Sequence, residues 1–338
     1  MKRIFLYALF LLLLAFALPL LLFVPERDEP AAEEPAAPTP AAADSGVAAA
    51  VPEPVLDGAI PLRLQTEAGV ETVTMAEYLP LAVAGEMPAS FQPEALKAQA
   101  VALRSYALYY RDARKSAHPD ADICTGAGCC AACAELSALR EIWGENFDSY
   151  YARICDAVAA TDGQYLVWEE APALTVFHAC SAGQTEDGAA LGIDRSYLVS
   201  VDTPETDEAV RNLSSTVEVS EGDFRAAVLS LAPEAELSGP KEGWLGQAVP
   251  DAAGRVATME IGGCTLSGLA LRQLFGLRSA AFTLECTEAG FIFHVRGYGH
   301  GVGMSQHGAN LLAADGADYT AILRHYYPGT ALVIAMRT

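Results

Sequence analysis

Large apolar residues are distributed along the chain in three different ways, and each distribution predicts a different kind of structure. Residues 4–24 are apolar almost without interruption, residues 25–54 contain hardly any large apolar side chain, and residues 55–338 mix short apolar runs with polar positions. About 20 apolar residues suffice for a helix to cross the ~30 Å hydrocarbon core of a bilayer. The pattern therefore predicts an anchor at residues 1–24, a linker and one folded domain.

The apolar run is expected to remain as an anchor. Lys2 and Arg3 precede it, and it leads directly into Pro25 and Glu26 without the small residues of a cleavage site. This disfavours the alternative, a cleaved signal peptide. Basic residues beside a first helix tend to stay in the cytoplasm. We therefore expect a single-pass protein of the cell membrane whose later residues are extracytoplasmic.

The linker at residues 25–54 is rich in Pro, Ala, Glu and Asp. Such a segment buries too little apolar surface to offset the entropy of ordering it. Proline and self-repulsion should keep it semi-extended. We expect a disordered acidic tether.

Strands and helices follow one another in residues 55–338 without regular alternation. Partial alternation of apolar and polar residues from Val55 to Thr74 predicts a strand hairpin. Pro93–Lys115 is predicted to be a helix, because Pro93 suits a first helical position and basic residues complement the C-terminal end. Further strands are expected at Tyr165–Trp168, Leu174–His178, Tyr197–Val201, Val256–Ile261 and Phe291–Val295, and further helices near Met304–Ala314 and Thr320–Tyr326. This order favours a single α+β domain, which can be two-lobed, over a doubly wound sheet.

The net charge of -22 argues against nucleic acid or an anionic bilayer surface as a partner. A cluster of basic residues in such an acidic chain is therefore a candidate binding feature. Lys97, Arg104 and Arg111 recur every seven residues and share one face of the predicted helix. One interpretation is that these side chains extend over the edge of the core. The other is that they line a groove for an anionic polymer or supply an ion partner for Glu86.

Glu86 is the only ionisable residue between Leu81 and Pro88. A carboxyl among apolar residues has a raised pKa and can act as a general acid near neutral pH. The alternative is an exposed glutamate in a turn after Gly85.

Four cysteines fall within ten residues, and a histidine lies close before them: Cys124, Cys129, Cys130, Cys133 and His118. Soft thiolates and an imidazole in one loop favour a tetrahedral zinc site with a structural role, because four protein ligands leave no place for water. A disulfide framework is the alternative, since the domain is predicted to be extracytoplasmic.

The segment Gly297–Ala309 alternates glycine with other residues and displays His300, Gln306 and His307. Glycines allow a positive φ and a close approach of the backbone to a ligand. The segment lacks the acidic residue that completes a dinucleotide site. A tight connection between a strand and a helix is the alternative interpretation.

Three motifs together resemble the stage II sporulation protein D family, at Glu77–Pro88, Glu94–Ala107 and Gly299–Gln306. The resemblance continues through Cys180–Glu186, Leu269–Ser279 and His325–Thr330, and so spans residues 55–330. Members of that family are anchored by an N-terminal helix and cleave peptidoglycan strands from which an amidase has removed the stem peptides. The resemblance implies a lytic transglycosylase that acts in sporulation, during engulfment, beside that amidase and its membrane partner.

The resemblance also implies roles for single residues. Glu86 matches the catalytic acid. Groove positions match Lys97, Gln99, Arg104, Ser181 and Tyr326, to which we add His300 and Gln306 as polar groups of the glycine motif. The family's zinc loop carries two histidines and two cysteines; His118, Cys124 and Cys130 match it, and Cys129 replaces the second histidine.

A single carboxyl suits this reaction. Hydrolysing glycosidases need two, whereas a lytic transglycosylase uses the 6-hydroxyl of the sugar itself, which is held at high effective concentration. Lys97 and Arg104 are then expected to pair with the lactyl carboxylates of muramic acid. The alternative function is an amidase enhancer that binds the wall without cutting it. A zinc hydrolase is disfavoured because no His-Glu-x-x-His helix is present.

Overall fold

The computed structural model describes residues 53–126, 128–334 and 336. The predicted anchor and nearly all of the predicted linker lie outside these residues. Within the described ranges, none of the helices combines the length and the apolar composition needed to span a bilayer.

The domain begins with the predicted hairpin. Strand β1 (Pro61–Thr66) pairs antiparallel with β2 (Gly69–Thr74) through a tight turn that closes between Thr66 and Gly69. Helix α1 (Met75–Glu86) follows at once, because Thr74 and Glu77 form a reciprocal capping box. This helix was not predicted, although the Thr-x-x-Glu pattern is a helix-start signal; Pro80 in its interior weakens the helical pattern.

Helix α2 (Pro93–Ala113) is the central element and confirms the predicted helix. It packs against α1 and against the later helix α4 (Phe147–Ala160). Small residues surround it on several faces and are buried: Ala95, Ala98, Ala100, Ala102 and Ala107. Such residues allow neighbouring backbones to approach from all sides. The remaining elements of this part are β3 (Ile123–Cys124), α3 (Leu136–Trp143), β4 (Gln164–Trp168), β5 (Ala171–Pro172) and β6 (Phe177–His178).

A second hydrophobic core is built by the stretch that follows. Its elements are β7 (Ser214–Ser220), α5 (Glu221–Leu231), β8 (Leu245–Pro250), β9 (Val256–Ile261), β10 (Cys264–Ser267), α6 (Gly268–Leu274), β11 (Phe282–Cys286) and β12 (Gly290–Arg296). They form two antiparallel sheets, ordered β10-β9-β8 and β11-β12-β7. Stacked aromatic rings of Phe224, Trp244 and Phe291 fill the space between helix and sheets. We call this part the second lobe.

The chain then returns to the first core. Strand β13 (Met304–Ser305) pairs parallel with β6, helices α7 (Gln306–Ala314) and α8 (Tyr319–Tyr326) pack on α2, and β14 (Ala331–Ile334) pairs with β4. The first lobe therefore combines residues 60–198 with residues 302–327, and the second lobe is inserted between them.

Mixed sheets and helices in two lobes confirm the predicted α+β class. The predicted strands at Tyr165–Trp168, Val256–Ile261 and Phe291–Val295 are present. The strand predicted at Tyr197–Val201 is wrong. This segment is a loop whose apolar residues are buried by packing, with Tyr197 only 1% exposed, so its composition indicated burial, not pairing.

Candidate active site

Glu86 is the last residue of α1 and borders a cleft of about 270 Å³. The cleft is lined by Glu86, Tyr106, Cys129, Cys130, Ala131, Val176, Phe177 and His300. The lining comes from α1, α2, the cysteine-rich loop, the start of β6 and the glycine-rich segment. Three sequence motifs that lie far apart in the chain thus meet at one partly buried carboxyl.

The environment of Glu86 favours its protonated form. Burial raises the pKa of this carboxyl above its ordinary value, although two hydrogen bonds act in the opposite direction. The backbone N–H of Ala132 donates to Oε1, and Nε2 of Gln306 donates to Oε2 at 3.4 Å. The position at the C-terminal end of a helix, where the backbone dipole is negative, further disfavours a carboxylate. Glu86 can therefore hold a proton at a pH where an exposed glutamate is ionised.

Gly85 explains how the cysteine-rich loop reaches Glu86. A Cβ atom at this position would lie 2.8 Å from the carbonyl oxygen of Ala132. Only a residue without a side chain allows the loop to approach so closely, and this approach places the Ala132 N–H on the carboxylate.

His300 presents a neutral imidazole to the same cleft. Burial, together with the guanidinium of Arg272, lowers its pKa to about 4. The backbone N–H of Val302 donates to Nδ1 at 3.1 Å, so the neutral ring carries its proton on Nε2. The side chain is therefore a hydrogen-bond donor at neutral pH.

The structure brings the four predicted zinc ligands together. The side-chain ligand atoms of His118, Cys124, Cys129 and Cys130 all lie within 4.8 Å of one another. Nδ1 of His118 contacts the carbonyl of Ala121 at 3.3 Å, which leaves Nε2 facing Cys130 Sγ at 3.2 Å. Three thiols and one imidazole nitrogen fit the donor preference of Zn²⁺ in a closed structural site.

The cluster forms one wall of the cleft. The backbone N–H groups of Cys129 and Cys130 both donate to the carbonyl of Gly126, at 2.9 and 2.8 Å, which folds the loop into a tight turn. Ala131 and Ala132 follow directly and reach the cleft and Glu86. A group that holds this turn in place therefore also positions the Ala132 N–H that donates to the carboxylate of Glu86.

All eight cysteines lie in described residues, and none pairs as a disulfide.

Arg104 does not lie in a groove, and this part of the prediction is corrected. Its side chain is 0% exposed and forms two hydrogen bonds of 2.7 Å with the carboxylate of Asp57. A third hydrogen bond, also 2.7 Å, reaches the carbonyl of Gln164. The guanidinium therefore forms an ion pair with Asp57 inside the core. It contacts neither the cleft nor Glu86.

The other predicted residues of α2, Lys97 and Gln99, are not among the residues that line the cleft. Nζ of Lys97 pairs with Glu94 at 2.6 Å and lies 5.9 Å from the ring centre of Tyr319 on α8. Gln99 is 0% exposed. The predicted cationic stripe is therefore divided between an ion pair in the core and surface pairs.

Ser181 and Tyr326 are both buried, and Ser181 takes part in hydrogen bonds that hold the glycine-rich segment in place. Ser181 Oγ lies 2.6 Å from His178 Nε2, and its backbone N–H donates to Glu205 at 3.0 Å. Glu205 also accepts a hydrogen bond from Ser305, directly before Gln306. His178 and Glu205, which sequence patterns did not identify, thus position the amide of Gln306 that contacts Glu86.

A larger open groove of about 710 Å³ lies over the second lobe. Its described lining includes the hydroxyl groups of Ser214, Thr216 and Thr283 with His294 and Arg296, but no carboxyl. The smaller cleft holds a carboxyl with a raised pKa, the group predicted from the sequence as a general acid, so it is the better candidate for the chemistry.

Comparisons with known proteins agree with the motifs. The family model described as "Stage II sporulation protein" matches residues 64–168, which include Glu86 and the four clustered ligands. The chain is 33% identical over 274 residues to stage II sporulation protein D of Bacillus amyloliquefaciens, covering 80% of this chain and 77% of that protein. The corresponding Bacillus subtilis (strain 168) protein is 32% identical over 276 residues, covering 81% and 78%. An amidase enhancer of Bacillus subtilis (strain 168) is 42% identical over 65 residues, 18% of this chain and 9% of that protein. The chain therefore belongs to the stage II sporulation protein D family.

Proposed function

We propose that this protein is a membrane-anchored lytic transglycosylase that cleaves peptidoglycan strands lacking stem peptides, outside the cytoplasmic membrane, during sporulation. The observation that carries the proposal is the environment of Glu86: a carboxyl with a raised pKa at the wall of a cleft, held by Ala132 and Gln306. An amidase that removes stem peptides would supply the substrate.

Glu86 would act first as an acid and then as a base. The protonated carboxyl donates its proton to the glycosidic oxygen while the bond from that oxygen to the anomeric carbon breaks. The resulting carboxylate then takes the proton of the sugar's 6-hydroxyl as its oxygen bonds to the same carbon. Glu86 ends protonated, so one residue serves both steps. Gln306 and Ala132 keep its oxygens in place.

Capture by the 6-hydroxyl is favoured over capture by water. Glu86 is the only carboxyl among the described residues that line the cleft. A hydrolase needs a second carboxylate to activate water or to attack the sugar. The 6-hydroxyl is tethered to the reacting ring, and this proximity replaces the second group.

A zinc ion bound by His118, Cys124, Cys129 and Cys130 would have a structural role. Four protein ligands leave no open position for a reacting water. Its contribution would be to fix the turn that presents Ala132 to Glu86, so the chemistry itself needs only the carboxyl.

The test is the substitution Glu86→Gln, assayed on glycan strands treated with an amidase. We expect cleavage to fall by at least about 100-fold, since a positioned acid and base contributes this much. Products of the parent protein should end in 1,6-anhydro-muramic acid and weigh one water less than hydrolysed ends by mass spectrometry. Glu71→Gln is a matched control, because Glu71 is exposed on β2.

Unchanged cleavage in a folded Glu86→Gln protein would refute the catalytic role. Reducing ends, or labelled oxygen from water at the cut, would refute transglycosylation. Binding of glycan without cleavage under any condition would favour the second candidate, an amidase enhancer. The observation that favours this second candidate is the similarity to an amidase enhancer over 65 residues.

A further inference from the structure

Beside the cleft, an exposed aromatic ring lies against a guanidinium group. Tyr298 is 47% exposed, and the guanidinium carbon of Arg278 lies 4.5 Å from the centre of its ring. The backbone N–H of Gly299 donates to the carbonyl of Arg278 at 2.9 Å, and the next residue, His300, lines the cleft of Glu86. The ring and the guanidinium are thus anchored at the rim of the candidate active site.

A second guanidinium on the same side also lacks a carboxylate partner. In the described part of the chain, neither Arg272 nor Arg278 is within ion-pair distance of an acidic side chain. Nε of Arg272 donates to the carbonyl of Leu277 at 3.3 Å, and Nη1 of Arg278 donates to that of Asn212 at 2.9 Å. The guanidinium of Arg272 contributes to the lowered pKa of His300, which places this charge near the glycine-rich segment. In a chain of net charge -22, two such neighbouring cations favour an anionic ligand.

A third arginine lies directly beneath this segment. Arg255 is 2% exposed, and its three guanidinium nitrogens have no hydrogen-bond partner among the described residues. Its nearest carboxylate oxygen, Oε2 of Glu186, is 3.5 Å away. A Cβ atom on Gly301 would lie 2.4 Å from the guanidinium carbon, so the glycine lets the loop rest on this charge. The glycine-rich segment therefore rests on a buried ion pair where it borders the cleft.

We propose that Arg272, Arg278 and Tyr298 form a subsite for an acidic sugar. The two guanidinium groups bind the lactyl carboxylate of a muramic acid, and the tyrosine ring contacts the apolar face of the pyranose. The identity of the sugar rests on the proposed function. The subsite takes over the role predicted for Lys97 and Arg104, whose charges are already paired with Glu94 and Asp57.

This subsite also gives a physical reason for selecting strands without stem peptides. A stem peptide is joined to the lactyl group through an amide, which removes the negative charge that the arginines recognise. Cutting the peptide away restores the carboxylate. The same strand therefore changes from a neutral ligand to an anionic one at the position facing Arg272 and Arg278.

The test measures binding, by isothermal titration calorimetry, in the Glu86→Gln background so that cleavage does not intervene. The ligands are a peptide-free glycan fragment and the same fragment with its lactyl carboxylates converted to methylamides. Arg272→Gln and Arg278→Gln should each weaken binding of the carboxylate form by about tenfold and leave the amide form unchanged. Tyr298→Ala should weaken both forms. Arg225→Gln, an exposed arginine on α5, removes the same charge and should change neither.

Several results would overturn the subsite. One is equal weakening of both ligands by the arginine substitutions in proteins with unchanged thermal unfolding. Another is tight, arginine-dependent binding of polyphosphate with none of the carboxylate glycan. Failure of the proposed function is distinguishable: charge-dependent binding without any cleavage by the parent protein would leave the subsite intact. Conversely, anhydro products with full activity and affinity in Arg272→Gln and Arg278→Gln would reject the subsite alone.

Discussion

Replacing Arg104 with methionine separates a role in the core from a role in substrate binding. Its guanidinium is 0% exposed and makes three hydrogen bonds of 2.7 Å, two to Asp57 and one to the carbonyl of Gln164. The variant leaves a carboxylate of 3% exposure with no cationic partner. Methionine fills much of the same volume, so the loss is mainly electrostatic.

The expected destabilisation is large. Removing one partner of a buried ion pair costs about 3–5 kcal/mol, because the remaining charge stays desolvated. Against a typical total of about 5–15 kcal/mol this is a substantial fraction. For a domain of this size it corresponds to a fall in Tm of roughly 6–20 °C. The double variant Asp57→Leu with Arg104→Met removes both charges and should recover most of the loss.

Thermal and urea unfolding of the folded domain at residues 55–338, followed by circular dichroism, measure this effect. Arg111→Met is the matched control on the same helix, since Arg111 is 39% exposed and lies 3.5 Å from Asp112. That exposed pair should contribute less than about 1 kcal/mol. A folded Arg104→Met protein with unchanged Tm and weakened glycan binding would refute the reasoning and restore Arg104 to the groove.

Three further predictions concern the site. Because the pKa of Glu86 is raised, cleavage should persist at pH values where ordinary glutamates are ionised, and it should fall as the pH rises through the raised pKa. The pH profile of kcat/KM measures this. A loss of activity at the pKa of an exposed glutamate would contradict the prediction. Elemental analysis of protein purified without chelator should find about one zinc per chain. The substitution Cys130→Ser should reduce metal content, stability and cleavage together. A metal-free protein that remains active would reject the zinc site. Gly303→Ala should lower Tm strongly, since its Cβ would lie 2.0 Å from the carbonyl of Val176 at a φ of 71°. The control Gly316→Ala, with φ of 95° and open space around it, should cost about 1–3 kcal/mol; equal losses would contradict the clash.

Elements with local signals were predictable. Helix α2 begins at Pro93 with the expected N-terminal proline, and the β1–β2 hairpin follows its alternating pattern. The clustering of His118, Cys124, Cys129 and Cys130 was predictable for the same reason, because all four residues fall within a short stretch of the chain. Glu86 stood out through its apolar neighbours, and the cleft bears out that it is partly buried.

The prediction that Arg104 lies in a groove was wrong. Helical spacing shows which residues share a face of a helix, but it does not show what packs on that face. Its partner Asp57 lies 47 residues away, and no local pattern connects the two. A clue was nevertheless present: alanines at positions 95, 98, 100, 102 and 107 surround the helix on several faces. A helix lined with small residues on so many faces is packed from several directions, so a charged residue in its middle must find a partner in the core.

The cluster of Arg272, Arg278 and Tyr298 could not have been predicted for a related reason. It depends on the loop after α6 meeting the glycine-rich segment, and the arginines carry no spacing that distinguishes them from surface residues. His178 and Glu205 escape prediction likewise, since each acts through buried hydrogen bonds to residues distant in sequence, such as Val302 and Ser305.

The insertion of the second lobe has a consequence for when activity first arises. Glu86 and the cysteine-rich loop precede the lobe in the chain, whereas His300 and Gln306 follow it. A chain made from its N-terminus thus produces the acid long before the groups that complete its cleft. The second lobe, one continuous stretch with its own core, can fold in the interval. The cleft is therefore complete only after the closing helices have been made, and the proposed cleavage would have to await them.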